Sequence, residues 1–103
     1  MTVNIHTVNF DADSKLLEHV NKKVSKLSNH HDRIMKVDVF LKLDNVIHNI
    51  KDKVSEIRVT VPKHELFVKQ SSKSFEESFD WAIDSILTQI KKVKEKQQPS
   101  ATS

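Results

Sequence analysis

Apolar residues recur in this chain with two different periods, and the order in which those periods alternate restricts the folds open to it. Val3, Ile5 and Thr7 alternate with Asn4 and His6, a period of two that ends near Phe10 and reads as a strand. Leu16, Leu17, Val20, Val24 and Leu27 then recur at helical spacing through about Ser28, behind N-cap candidates in Asp11-Ala12-Asp13-Ser14. Asn29-His30-His31-Asp32 closes this helix. Val37, Val39, Leu41 and Leu43 alternate with Asp38, Phe40 and Lys42 in a second strand, the clearest of the chain. A polar connection over 44–53 leads to Ile57, Val59 and Val61, a third strand ended by Pro62, which has no N–H for a ladder. Leu66 and Val68 mark a short fourth strand. Ser74-Phe75-Glu76-Glu77 fits a capping box. Behind it Phe75, Phe79, Ala82, Ile83, Ile86, Leu87, Ile90 and Val93 trace one helical face.

The element order is β-α-β-β-β-α, an α+β fold with a four-stranded mixed sheet. One apolar sheet face needs covering, and two amphipathic helices are available to cover it. A right-handed crossover makes the first two strands parallel, and hairpins then give the fourth strand the same direction. Each helix follows one of these co-directional strands and returns over the same face, so the two helices are expected to be parallel. A chain of 103 residues with 37% hydrophobic content supports one domain, over 1–96, with 97–103 as a disordered tail.

The topology matters because of where the cations fall. The first helix ends in Lys22, Lys23 and Lys26, the last in Lys91, Lys92, Lys94 and Lys96, and Arg33 borders the first group. Parallel helices bring both clusters to one edge. Net charge is only +3, so it is this clustering that points to a phosphate backbone. Taken singly, each cluster also reads as a solvated helix end that matches the dipole, as Glu76, Glu77, Asp80 and Asp84 do near the start of the last helix, with Asp84 a candidate for a salt bridge.

Composition excludes several chemistries. Glycine is absent, so the phosphate-cradling loops of nucleotide enzymes cannot be built, and turns fall to Asp44-Asn45, His48-Asn49 and Pro62-Lys63-His64. Without cysteine there is no disulfide, thiolate catalysis or cysteine-bound zinc. His30-His31-Asp32 are adjacent and do not readily converge on one ion, so no metal and no cofactor is expected. An enzyme built on His6, His30, His31, His48 or His64 finds no spacing that assembles a site. Nothing at the N-terminus reads as a secretory signal, and no run approaches a membrane span, which gives a cytoplasmic reading. Phe40 and Phe67 face the open side of the sheet, where cross-strand packing is favoured over base stacking.

Lys26-Leu27 followed by Asp32-Arg33-Ile34, then Val39-Phe40-Leu41-Lys42-Leu43, Leu66-Phe67-Val68, Ala82-Ile83-Asp84 and a lysine-rich helix end resemble the short ribosome hibernation promoting factors. This family is also called ribosome-associated inhibitor or sigma-factor modulation proteins, and the likeness runs over residues 2–96. It implies a fold resembling a double-stranded RNA-binding domain. It also implies a non-catalytic bacterial protein of stationary phase and stress response, monomeric when free and without a small-molecule substrate. Its partners would be the small ribosomal subunit and its rRNA, in the channel between head and body, where messenger and transfer RNA pass. Lys22, Lys23, Lys26, Arg33, Lys91, Lys92 and Lys94 stand where the family's RNA-facing helix ends lie. His30-His31 replaces a common aromatic pair, and the Pro62-Lys63-His64 turn lacks the usual glycine. The resemblance is to the short members, so direct ribosome pairing through the separate dimerisation domain of the long members is not expected. The alternative reading is an RNA- or protein-interaction module that uses the open sheet face on some other factor.

Overall fold

The computed structural model describes residues 1–44 and 53–97. The elements are β1 (Thr2–Val8), α1 (Ser14–Ser25), a 3-10 turn (Lys26–Asn29), β2 (Lys36–Leu43), β3 (Lys53–Val61), β4 (His64–Ser72) and α2 (Phe75–Gln97). The expected turns at Asp44-Asn45 and His48-Asn49, the tail beyond Gln97 and the side chain of Lys96 lie outside the described residues.

The sheet order is β1-β2-β3-β4, with β1 parallel to β2 and the later pairs antiparallel. Strands β1, β2 and β4 therefore share a direction. Both helices cover one sheet face, because Leu16, Val20 and Val24 of α1 and Phe79, Ile83, Ile86 and Ile90 of α2 belong to one cluster with Val37, Val39, Leu41, Ile57 and Val59. The helices run the same way: His19 of α1 meets Asp80 of α2, and further along both helices Lys26 and His30 share a groove with Ile83 and Leu87.

Local chemistry sets the helix ends. Asp13 Oδ1 accepts from the Leu16 N–H at 2.8 Å and starts α1. Ser74 Oγ accepts from the Glu77 N–H at 3.1 Å, which is one half of the expected capping box. The other half differs, because the Glu77 carboxylate turns to the Ser72 hydroxyl at the end of β4. Helix α1 ends at Ser25 and tightens into a 3-10 turn, so Lys26 and Leu27 lie one element later than their periodicity indicates.

Two strands are longer than expected. β3 begins at Lys53, inside the expected connection, and β4 runs nine residues to Ser72 because Gln70, Ser71 and Ser72 pair with Ser55, Val54 and Lys53. The polar residues hid this extension. Ser55 points inward and is wholly buried, and its hydroxyl meets that of Ser78 on α2 at 2.7 Å, so the core accepts a polar residue whose hydrogen bond is satisfied.

The β3–β4 hairpin turns on Pro62-Lys63, with Lys63 at φ 68° in the left-handed region. Proline followed by a positive φ is the corner pattern of a type II turn, whose second position favours glycine. Two expectations follow. Leu41→Ala or Ile83→Ala should lose about 2–5 kcal/mol in denaturant unfolding, the range for truncating a buried aliphatic side chain; an unchanged midpoint in both would refute the assigned core. Lys63→Gly should raise stability by up to about 1 kcal/mol through relief of the left-handed backbone.

Candidate nucleic-acid interface

Helix direction decides which residues share an edge. Both helices return antiparallel to β1, β2 and β4, so their C-termini lie where those strands begin, beside Thr2, Lys36 and His64. Gln89 Nε2 donates to the Phe67 carbonyl at 3.3 Å and sets α2 against β4 in this sense.

Lys22 and Lys26 are exposed at the end of α1, and Arg33 is exposed in the connection to β2. Its backbone N–H donates to Nδ1 of the buried His31 at 3.0 Å, which ties the turn that carries Arg33 to a ring in the interior. On α2, Lys91, Lys92 and Lys94 are all exposed, with buried Val93 between them. Lys91 and Lys94 follow Leu87 by four and seven residues, so they continue the side of α2 that faces α1. Lys92 turns about 100° further, toward solvent.

Between the helices lies a shallow groove of about 170 Å³, floored by Leu27, Ile83 and Leu87 and rimmed by Lys23, Lys26, His30 and Asp84. Lys23 differs from the other cations. It is half-buried at the helix contact, with its Nζ 3.8 Å from Asp80, which also accepts from His19 Nε2 at 2.7 Å. The expected salt bridge of Asp84 therefore falls one turn earlier, on Asp80.

Two exposed cations at this edge escape sequence reading. Lys63 sits in the hairpin turn, and Lys36 begins β2 opposite Thr2, both at the strand ends where the helices finish. The strand directions alone place them there. Trp81, 43% exposed on the outward side of α2, is also absent from the periodicity reading, since it falls off the apolar face.

Among the described residues no helix covers the other sheet face, which carries a linked polar layer. Phe40 stacks on His6 with centroids 4.7 Å apart, and the Arg58 guanidinium lies 5.8 Å from the Phe40 ring and 5.9 Å from the Phe67 ring. Phe40 and Phe67 thus pack across strands as expected, through Arg58 and not ring on ring. Lys42 pairs with Glu56 at 2.9 Å and Arg58 with Glu65 at 3.3 Å. Burial acts to raise the Asp38 carboxyl, but the Asn4 amide, the Lys36 ammonium and His6 outweigh it and hold it below the ordinary carboxylate range. Among the described residues no group of His, Asp and Glu could hold a metal, and no helix is long and apolar enough to cross a membrane.

A four-stranded mixed sheet backed on one face by two parallel helices with converging cationic ends defines a small α+β class with one basic edge. Residues 3–98 match the family model described as sigma 54 modulation protein / S30EA ribosomal protein, and the chain belongs to that family. It is 29% identical over 98 residues to a ribosome hibernation promoting factor of Pseudomonas putida, covering 95% of this chain and 91% of that protein. In fold it is similar to the N-terminal domain of Thermus thermophilus Protein Y, with TM-score 0.77 and 23% identity, covering 90% of this chain and 99% of that one. A ribosomal subunit interface protein of Coxiella burnetii gives TM-score 0.80 at 20% identity, covering 92% and 99%.

The Asp38 cluster yields a pH expectation. With its folded value below the unfolded value of about 4, the carboxylate contributes stability above that pH and loses it as pH falls through the folded value. Asp38→Asn should therefore flatten the acid limb of an unfolding-versus-pH profile below about pH 4. A limb as steep as the parent's would exclude Asp38 as a contributor.

Proposed function

We propose that this protein binds the small ribosomal subunit in the channel between head and body and keeps idle ribosomes inactive by occupying the path of messenger and transfer RNA. The convergence of two lysine-rich helix ends on one edge, in a chain whose relatives bear ribosome hibernation and subunit interface names, carries this reading.

The physical logic is electrostatic. Lys22, Lys26, Arg33, Lys91, Lys92 and Lys94 meet rRNA phosphates, joined by Lys63, and association releases counterions condensed on the RNA. Lys23 contributes from the groove while sharing Asp80. The helix N-termini carry Asp11, Asp13, Glu76 and Glu77 against only Lys15 and Lys73 at the opposite edge, so the cationic excess lies at the helix C-termini and orients that edge toward RNA. The β-α-β-β-β-α order resembles a double-stranded RNA-binding domain, a fold suited to reading RNA by shape and backbone. The protein acts as a monomer in the cytoplasm, without cofactor and without making or breaking a bond.

Changing Lys22, Lys26, Lys91 and Lys92 together to Ala should abolish co-sedimentation with ribosomes at moderate salt while the fold survives. The magnitude of the slope of log affinity against log salt should fall by roughly 2.8–3.6, about 0.7–0.9 for each of four phosphates no longer neutralised. A variant that sediments like the parent would reduce these lysines to a solvated helix end. In cell-free translation, inhibition should be stoichiometric with ribosomes, relieved by pre-bound messenger and initiator transfer RNA, and reversed by a high-salt wash. Inhibition at a small fraction of one protein per ribosome would point to catalytic damage instead.

A further inference from the structure

We propose that the open sheet face is a second RNA contact, one that takes unpaired nucleobases by stacking on His6 and Phe67. The register sets His6 beside Phe40 on β1 and β2, and Arg58 beside Phe67 on β3 and β4. Adjacent strands are about 4.8 Å apart, and the His6 and Phe40 rings are 4.7 Å apart with planes only 15° from parallel. Coplanar rings at that separation would overlap at their edges, so the two stand face to face. The Arg58 guanidinium lies in the neighbouring row, diagonal to Phe40, 5.8 Å from the Phe40 ring and 5.9 Å from the Phe67 ring. The result is a diagonal chain of one ring stack and two cation–π contacts that runs from His6 on one edge strand to Phe67 on the other. Both ends are open: the His6 side chain is 49% exposed and Phe67 is 43% exposed.

The chemistry of the layer selects the ligand. Its principal cations are already paired, Lys36 with Asp38, Lys42 with Glu56 and Arg58 with Glu65, so this face is not arranged to gather phosphates as the helix edge is. The two central cross-strand rows hold Asn4, Asp38, Arg58 and Phe67, then His6, Phe40, Glu56 and Lys69, with no aliphatic side chain among them. The aliphatic side chains of this face, Val8 and Val54, lie one row further along, in a separate hollow of about 240 Å³ with Lys42, Glu56 and Lys69; a protein partner would anchor through side chains seated in such a pocket. Flat rings bordered by amide and carboxylate groups instead suit a base, which stacks by its π-face and donates amino protons at its edge. Exposed Lys69, two residues along β4 from Phe67, is placed to meet the phosphate of a nucleotide stacked there.

The stack is independent of the lysine edge, and the test separates the two. Fluorescence anisotropy would compare a labelled oligoriboadenylate with an abasic ribose-phosphate oligomer of equal length. The parent protein should bind the adenylate more tightly. Phe67→Leu combined with His6→Leu, both at exposed positions, should weaken adenylate binding about tenfold, toward the abasic level, with the salt slope unchanged. The quadruple lysine variant should keep the difference between the two oligomers. Equal binding of adenylate and abasic oligomers by the parent, or parent-like adenylate binding by the double variant, would overturn the proposal. A photo-crosslinking residue at position 67 on ribosome-bound protein should join to rRNA; crosslinks to ribosomal protein alone would overturn it in favour of a protein partner.

Discussion

One apolar sheet face has to be covered by two helices, and each of those helices follows a strand of the same direction. That requirement organises the molecule. Inward-facing Val37, Val39, Leu41, Ile57 and Val59 have no other means of leaving water, and Val20, Val24, Phe79 and Ile86 supply the matching surface. Because α1 leaves β1 and α2 leaves β4, covering the face also makes the helices parallel. Their C-termini, with the lysine clusters they carry, meet at one edge as a by-product of burial. The contact between His19, Lys23 and Asp80 pins the helices side by side where the groove begins.

Parallel helices also align their dipoles. Two negative C-terminal ends at one edge would repel each other, and the lysines there offset that field before any RNA arrives. Under the proposed function the same side chains have one role in the free protein and another in a complex with RNA. Lys23 illustrates the division, since its pairing with Asp80 ties it to the helix contact, whereas Lys22 and Lys26 remain exposed. The two faces of the sheet divide the chemistry further: an aliphatic side that holds the fold, and an aromatic and guanidinium side whose charges are balanced locally.

Much of this was legible in the sequence because burial leaves periodicity. The alternation around Val37 to Leu43 and the helical spacing from Phe75 to Val93 each name a buried face, and topology rules convert those faces into a direction for each helix. What escaped notice broke the pattern for physical reasons. Ser55 is polar yet wholly buried, since Ser78 satisfies it, so the start of β3 looked like loop. Glu77 found the Ser72 hydroxyl in place of its own cap, a partner that only the strand-to-helix turn brings near. Lys36 and Lys63 belong to no cluster along the chain and join the basic edge only once the strands are paired. His31 occupies a position where polarity argues for exposure, yet it is buried and braces the backbone of Arg33.

The central claim is that the edge made by the ends of α1 and α2 is the surface that meets the ribosome. A cryo-electron microscopy reconstruction of the protein on vacant ribosomes tests it most directly. The account predicts density between head and body of the small subunit, with Lys26, Arg33, Lys91 and Lys92 against rRNA phosphates. Density elsewhere on the ribosome, or in the channel with that edge turned to solvent, would contradict it.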